Sequence, residues 1–267
     1  MHDQTRTIET AGGHALHVSL RGAGGLPVLF INSVAADHRM WEAVRARMSR
    51  LNVAYDPRGH GQSEVTPGQM TVAGFAQDAL DVMAATGLER AVLCGLSLGG
   101  LTAMKAAELA PERVAGLVLA NTATSFPPPS LWQDRAAATR ADGWPGLVQP
   151  TLERWLGAQW REANPEATGD VRAMLEAMPP EGYAAACHAL ETGDTTAALA
   201  GYPGPTLAIA GRHDLSAPVA RSEELMATAQ RGEMVVLDTA HIAAIEDAEG
   251  FAAALEGFVA GIEAADG

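Results

Sequence analysis

One serine in this chain of 267 residues has the surroundings of a nucleophile. Ser97 is the centre of a Gly-Leu-Ser-Leu-Gly segment, between an apolar run at 91–96 and a helix-like stretch at 101–110. Such a segment places its serine on a sharp, strained turn, with the hydroxyl exposed at the N-terminus of the helix. A side chain at Gly95 or Gly99 would collide with the neighbouring strand and helix. We predict that Ser97 is a nucleophile, the alternative being a solvent-facing serine in a glycine-rich turn.

A serine hydroxyl needs a base, which is usually a histidine oriented by a carboxylate. For a serine on this kind of turn, the order along the chain is serine, acid, histidine. Asp214 follows a late apolar run and His241 follows the last one, and the carboxyl ends of parallel strands meet at one edge of a sheet. We predict Asp214 as the acid and His241 as the base. Asp214 could instead be a helix N-cap, and His60 is the one serious rival as base.

Acyl transfer through a serine also needs two N–H donors for the oxyanion. The backbone amide of Leu98, directly after the nucleophile, is the expected first donor. The second should come from the loop after the apolar run 27–31, where Val34 is the first choice and Ser33 the alternative. This chemistry requires neither a metal nor an organic cofactor.

Strand-like and helix-like stretches alternate through most of the chain. The predicted strands are 5–10, 14–20, 27–31, 51–55, 91–96, 114–120, 206–210 and 234–237. The first two are separated by glycines and form an antiparallel hairpin. The others are apolar runs separated by predicted helices at 37–49, 71–86, 219–230 and 247–262. The pattern predicts an α/β fold with a mostly parallel eight-stranded sheet and helices on both faces.

The alternation stops at Asn121 and resumes after residue 201. Between these points the sequence predicts only helices, at 131–140, 147–156, 170–178 and 183–191, bracketed by prolines. We predict a core made of 1–121 and 202–267, and a helical cap made of 122–201. Four of the five tryptophans lie in the cap, at positions 132, 144, 155 and 160. They either pack the cap onto the sheet or line a pocket.

The charge and apolar content of the chain exclude some classes of protein. A net charge of −14 argues against nucleic acid and anionic membranes as partners, because both require a basic face. An anionic substrate would also need local arginines. The sequence has neither a signal-peptide pattern nor an apolar run near the ~20 residues of a membrane span. We expect a cytoplasmic protein, with Cys94 as a buried core residue and the oligomeric state left open.

Stretches along nearly the whole chain resemble one family. The chain resembles the α/β-hydrolases and, more closely, the 3-oxoadipate enol-lactonases of bacterial aromatic catabolism. The matching stretches are Ile31-Asn32-Ser33, Arg39-Met40-Trp41, Tyr55-Asp56-x-Arg58-Gly59-His60-Gly61-x-Ser63, Cys94-Gly95-Leu96-Ser97-x-Gly99-Gly100, Leu119-Ala120-Asn121-Thr122-Ala123, Trp132 with Arg135, Glu153-Arg154-Trp155, and Pro180 to Ala185. The matches in the cap are the more specific ones, because caps diverge fastest.

The resemblance implies hydrolysis of a small five-membered enol-lactone that carries an acetate arm, giving 3-oxoadipate. For such an anionic substrate, the candidate binding residues are Trp132, Arg135, Arg140 and Trp155, and Arg135 or Arg140 is the candidate partner of its carboxylate. The alternative for the arginines is a solvated face of the cap.

The chain departs from the family pattern at two places. Ala240-His241-Ile242-Ala243 replaces the usual Gly-His-x-Pro, and the loop after Ser33 lacks a glycine. These changes leave the predicted triad intact and bear on the choice of substrate.

Three other functions stay open. The first is a carboxylesterase or another lactonase with the same triad. The second is a hydrolase of carbon–carbon bonds, and the third is a ligand receptor on a hydrolase fold, since a fold does not determine a function. A dehalogenase is disfavoured because that chemistry needs an aspartate at the position of Ser97.

Overall fold

The computed structural model describes residues 3–266, and an eight-stranded sheet runs through its centre. The strands are β1 (Gln4–Glu9), β2 (Ala15–Arg21), β3 (Val28–Ile31), β4 (Asn52–Tyr55), β5 (Ala91–Leu96), β6 (Val114–Ala120), β7 (Thr206–Gly211) and β8 (Gly232–Leu237). Their order is β1-β2-β4-β3-β5-β6-β7-β8. β2 pairs antiparallel with β1 and β4, and all other pairs are parallel. The mostly parallel sheet predicted from the sequence is confirmed.

Within residues 3–266, twelve α-helices surround or cover this sheet. They are α1 (Glu42–Arg45), α2 (Val72–Thr86), α3 (Leu98–Leu109), α4 (Pro129–Asp142), α5 (Pro145–Trp155), α6 (Ala158–Ala163), α7 (Pro165–Glu176), α8 (Pro180–Thr192), α9 (Thr196–Gly201), α10 (Val219–Thr228), α11 (Ala243–Glu246) and α12 (Ala248–Asp266). One face of the sheet packs on α2 and α3, and the other packs on α12. Every residue of β3 to β7 is buried, which is why these strands are apolar runs rather than alternating ones.

Local signals set the ends of α2 as the sequence predicts. The hydroxyl of Thr71 accepts a hydrogen bond from the N–H of Gly74 at 3.0 Å, which caps the first turn. Gly87 ends the helix with φ of +75°, in the left-handed region that glycine adopts without strain.

The predicted helix at 37–49 is wrong in extent. The chain makes a 3₁₀ turn at His38–Trp41 and the four-residue helix α1, and then turns back towards the hairpin. Arg45 explains the early end, because its side chain is fully buried and donates to Asn52 and Ser19. The closing helix predicted at 247–262 is confirmed as α12, which continues to Asp266, and the sequence misses the four-residue helix α11 that precedes it.

Six helices, α4 to α9, occupy the segment that we call the cap, residues 122–201. α4 packs against α8, and α5 packs against α7. The sequence predicts four of the six and misses α6 and α9, because six residues are too few to show a helical period. The division of the chain into a core and a separate cap domain stays a prediction.

The remaining expectations concern cysteines and membranes. Cys94 is fully buried in β5, as expected, and both it and Cys187 are free thiols. Burial raises the pKa of Cys94 well above its ordinary value. Within residues 3–266 the structure has no helix with the length and apolar character needed to cross a membrane.

Candidate active site

Ser97 lies on the turn between β5 and α3. Its φ of +56° and ψ of −114° are outside the regions that a serine ordinarily adopts. Two glycines make this turn sterically possible. A Cβ on Gly95 would lie 2.1 Å from the carbonyl oxygen of Gly99, and a Cβ on Gly99 would lie 2.1 Å from that of Ile31. The sequence-based reason for these two glycines is confirmed.

Asp214 and His241 form a buried hydrogen-bonded pair beyond the ends of β7 and β8. Oδ2 of Asp214 lies 2.8 Å from Nδ1 of His241. The N–H groups of Ser216 and Ala217 donate to Oδ1 at 2.7 and 2.9 Å. Burial raises the pKa of Asp214, but the charge and hydrogen bond of His241, with the other donors, outweigh it, so the pKa of Asp214 is below its usual value. An ionised acid that holds Nδ1–H leaves Nε2 free to accept a proton.

Asn121 supports this pair, and the sequence reasoning assigned it no role. Its Nδ2 donates to Oδ2 of Asp214 and to the carbonyl oxygen of Ala240, both at 3.1 Å. Asn121 is fully buried, with a φ of +45°. One signal was available, since a polar residue with a short side chain directly follows the apolar run that forms β6. Residues that follow the carboxyl ends of parallel strands lie at the same edge of the sheet, which is also the edge where Ser97 lies.

The expected oxyanion donors, Leu98 and Val34, lie on either side of Ser97 in the fold. Leu98 is the first residue of α3, and Val34 lies in the loop after β3. Within residues 3–266 neither amide N–H has an intramolecular acceptor. Ala35, next in that loop, has φ of +64°, in the left-handed region that glycine adopts without strain. Whether these amides hold an oxyanion stays a prediction.

A cavity of about 290 Å³ opens above Ser97 and His241. This volume is near the lower end of the ~300–1,000 Å³ typical of ligand sites, so the cavity suits a small molecule. The walls come mainly from the cap and from the loops after β3 and β7. The lining residues are Val34, Ala35, Ser97, Phe126, Pro127, Leu131, Trp132, Arg135, Trp144, Thr151, Arg154, Trp155, Tyr183, Leu215, Ser216 and His241. Three of the four cap tryptophans are therefore cavity walls.

Two arginines supply the charge of this cavity. Arg135 lies over the ring of Trp132, with its guanidinium carbon 4.9 Å from the ring centroid. Arg154 donates to the hydroxyl of Thr151 at 2.9 Å. Burial lowers the pKa of Arg154, and the positive charge of Arg135 lowers it further. No acidic residue is among the described lining residues, and within 3–266 neither guanidinium has an ion-pair partner. The cavity can therefore accept an anion.

Other residues considered from the sequence lie elsewhere. Arg140 is exposed and bonds to Glu181, so the structure does not bring it to the cavity. Instead the cavity contains Arg154, to which the sequence reasoning gave no role of its own. His60 is buried, with Nδ1 3.1 Å from the carbonyl oxygen of Arg58, and does not line the cavity. Trp160 donates from its indole N–H to the carbonyl oxygen of Glu246.

One cluster in the described chain offers three metal-ligating groups, namely His17, His38 and Asp56. Its carboxylate is already bonded, because Oδ1 accepts from the backbone N–H of His38 and lies 2.8 Å from its Nδ1. Oδ2 accepts from the N–H of Gln62 at 2.9 Å. These bonds satisfy the carboxylate, and none of the three residues lines the cavity that contains Ser97, so we assign the cluster no metal.

Comparison with known proteins gives a family-level match. The sequence profile of the alpha/beta hydrolase fold matches residues 27–248. The chain is 35% identical to 3-oxoadipate enol-lactonase 1 of Acinetobacter baylyi over 259 residues, which are 96% of this chain and 97% of the relative.

Solved structures show the same likeness. The enol-lactonase from Burkholderia xenovorans LB400 superimposes with a TM-score of 0.92 and 32% identity, covering 96% of this chain and all of that one. A thermophilic esterase from Thermogutta terrifontis, solved with malate bound, gives a TM-score of 0.91 with 29% identity and covers 97% of this chain and 99% of that one.

Proposed function

The chain belongs to the alpha/beta hydrolase family, and from that premise we propose that it opens the ring of 3-oxoadipate enol-lactone to give 3-oxoadipate. The observation that carries the proposal is the pair of guanidinium groups of Arg135 and Arg154 in the small cavity above Ser97, whose described lining residues include no acid. The lactone is small and carries one carboxylate, so it suits both the volume and the charge. The full-length likeness to enol-lactonases supports the same substrate.

In the proposed complex, the acetate arm of the lactone lies against Arg135 and Arg154. A planar guanidinium donates two parallel hydrogen bonds to a carboxylate, a geometry that a lysine cannot reproduce. An anion between the two arginines also relieves the repulsion that contributes to the lowered pKa of Arg154. This local positive charge allows a chain with a net charge of −14 to bind an anionic substrate. The ring then packs between the indoles of Trp132 and Trp155.

The first half of the proposed reaction forms an acyl-enzyme. Oγ of Ser97 attacks the lactone carbonyl carbon while Nε2 of His241 takes the hydroxyl proton. The amides of Leu98 and Val34 donate to the oxyanion. Collapse of the tetrahedral intermediate breaks the ring C–O bond, and the enol oxygen takes the proton from His241. The enol then tautomerises to the ketone, while the acyl group stays esterified to Ser97.

The second half hydrolyses this ester. Nε2 of His241 takes a proton from water, whose oxygen attacks the acyl carbon, and the proton then passes to Oγ of Ser97. Asp214 holds Nδ1–H of His241 throughout and stabilises the imidazolium in each half. The product leaves with two carboxylates, one from the acetate arm and one formed at Ser97.

The test compares two substrates on purified protein. Loss of the ultraviolet absorbance of the lactone, generated in situ, is followed beside release of p-nitrophenolate from p-nitrophenyl acetate. We expect efficient lactone turnover that falls by about 10³-fold or more in Ser97→Ala, because the nucleophile is removed. Ser130→Ala, an exposed serine on α4, is the matched control. Activity of Ser97→Ala within about tenfold of wild type contradicts the assignment.

Other outcomes point to the alternative functions. Brisk ester cleavage with slow lactone turnover keeps the triad and identifies an esterase, as in the Thermogutta relative. Activity on vinylogous diketones identifies a carbon–carbon bond hydrolase. Stoichiometric lactone binding with turnover far below the ~10 per second of an ordinary enzyme identifies a receptor. A cytoplasmic location is part of the proposal, supported by two free thiols in the described chain.

A further inference from the structure

The loop that carries His241 is hydrogen-bonded to the end of cap helix α5. The backbone N–H groups of His241 and Ile242 both donate to the carbonyl oxygen of Trp155, at 3.0 and 3.1 Å. Trp155 is also a wall of the cavity. Main-chain hydrogen bonds therefore connect the loop of the proposed base, His241, to Trp155 in the wall of the cavity.

One carboxylate completes this junction. Glu246 is the last residue of α11 and is partly buried. Its Oε1 accepts from the backbone N–H of Gly157, two residues after Trp155. Its Oε2 accepts from the backbone N–H of Ala240, the residue before His241. The same side chain thus binds the cap on one oxygen and the histidine loop on the other.

The contact continues to the acid of the triad. The carbonyl oxygen of Ala240 accepts from Nδ2 of Asn121, which also donates to Asp214. A shift of the Ala240 peptide would therefore disturb both His241 and the amide that supports Asp214. Burial raises the pKa of Glu246 above its ordinary value, and the amides of Ala240 and Gly157 offset part of this shift by stabilising the charged carboxylate.

We propose that Glu246 is a positioning residue, which fixes the direction of His241 by holding the Ala240 and Gly157 amides on one carboxylate. The inference rests on the proposed function only in taking Ser97 and His241 as the reacting pair. A carboxylate suits this place because it presents two acceptor oxygens to two N–H groups. A glutamine would present one acceptor and one NH₂, which would face an N–H.

Two substitutions break the contact from opposite sides, each with its own control. Glu246→Gln removes one acceptor, and Glu249→Gln removes the same charge from an exposed position on α12. Gly157→Pro removes the N–H donor from the cap side. The backbone suits proline, since Gly157 has φ of −59° and Leu156 before it has φ of −124° and ψ of 132°. Gly157→Ala keeps the N–H, and its Cβ would lie 3.4 Å from Oε1 of Glu246.

The readout is the rate at which a fluorophosphonate labels Ser97, because labelling needs His241 as base but no recognition of the lactone. A misplacement of about 1 Å can cost 10²-fold, so Glu246→Gln and Gly157→Pro should label about 10- to 100-fold more slowly. Both controls should stay within about threefold of wild type. The strongly deshielded proton resonance of the His241–Asp214 hydrogen bond should broaden or vanish in the two slow variants. Adipate, used as the cavity probe in calorimetry, should still bind them.

Labelling of both variants within about threefold of wild type overturns the proposal. An equal fall in the labelling rate of Gly157→Ala and Gly157→Pro also overturns the proposal, because removal of the Gly157 N–H then does not explain the slower labelling. If Glu246→Gln does not fold, the Gly157 pair decides. Failure of the wild type to turn over the lactone or bind adipate counts against the proposed function, whereas the labelling rates still test Glu246.

Discussion

Replacing Arg154 by methionine should separate the anionic lactone from a neutral ester. Arg154 lines the cavity with Ser97 and His241, and its one side-chain hydrogen bond within the described chain goes to the hydroxyl of Thr151. Methionine keeps an unbranched apolar side chain against the neighbouring walls but removes the charge. The substitution therefore tests the interaction with the carboxylate more than the packing of the cavity.

The expected loss follows from the hydrogen bonds that Arg154 can make. A hydrogen bond to a charged group contributes about 1.5–3 kcal/mol, which corresponds to a fall of roughly 10- to 150-fold in kcat/KM. Arg135 limits the loss, because it stays in the cavity and is no longer repelled by a second guanidinium. The effect on p-nitrophenyl acetate should be within about threefold, since that substrate has no carboxylate.

The assay measures kcat/KM for the lactone and for p-nitrophenyl acetate on the same preparations. The quantity of interest is their ratio, which cancels differences in the fraction of active protein. Arg140→Met is the matched control, because it removes the same group from the same cap but from an exposed pair with Glu181. We expect its ratio to equal that of the wild type.

Two results would refute this reasoning. An unchanged ratio in Arg154→Met would mean that Arg154 does not hold the carboxylate. An equal loss on both substrates would mean that the substitution disturbs Ser97 or His241 rather than recognition. A ratio that falls in Arg140→Met instead would restore the role that the sequence gave to Arg140.

Two further predictions concern stability. Ala35→Gly should raise the free energy of unfolding by about 0.5–1 kcal/mol. The substitution relieves the ~1–2 kcal/mol that the left-handed conformation costs an alanine, but it loses about 0.4–1 kcal/mol because glycine makes the unfolded chain more flexible. A lower urea midpoint would contradict this prediction. Burial lowers the pKa of His38, but the hydrogen bond and charge of Asp56 outweigh it and raise the pKa above 6.5. Charged His38 therefore stabilises the fold fully below pH 6.5 and less as the pH rises through its raised pKa. The unfolding free energy that His38→Asn loses relative to the wild type should decrease over the same pH range. A loss that grows with pH would exclude this ion pair.

The centre of the sheet could be predicted from the sequence because strands β3 to β7 are buried on both faces. A strand such as β6 is then a continuous apolar run with polar residues at both ends, and its boundaries follow directly. The prediction of a helix at 37–49 is wrong because contacts with distant residues, rather than the local pattern, determine the structure there. The apolar spacing of this stretch is helical, but the buried guanidinium of Arg45 is held by Ser19 and Asn52. Contacts of that kind join distant parts of the chain and leave no local pattern.

The triad could be predicted from the sequence because each of its residues lies shortly after the end of a strand. Ser97, Asp214 and His241 come after β5, β7 and β8, and parallel strands bring such positions together whatever the loops do. Asn121 directly follows β6, so the same rule predicts that it lies near the triad. The structure adds the pairing of Asp214 with His241, which strand order alone does not supply.

Arg154 and Glu246 depend instead on how the cap meets the sheet. On α5 the buried face contains Thr151, Leu152 and Trp155, and Arg154 lies at helical spacing from Thr151, at the edge of that face. A cation partly buried on a helix normally requires an acid within reach. Where the described fold supplies none, as in this cavity, the missing acid is best sought in the substrate. Glu246 shows the converse, because each of its carboxylate oxygens accepts a backbone N–H of this chain, and this is why we propose that it positions His241 rather than binding the substrate.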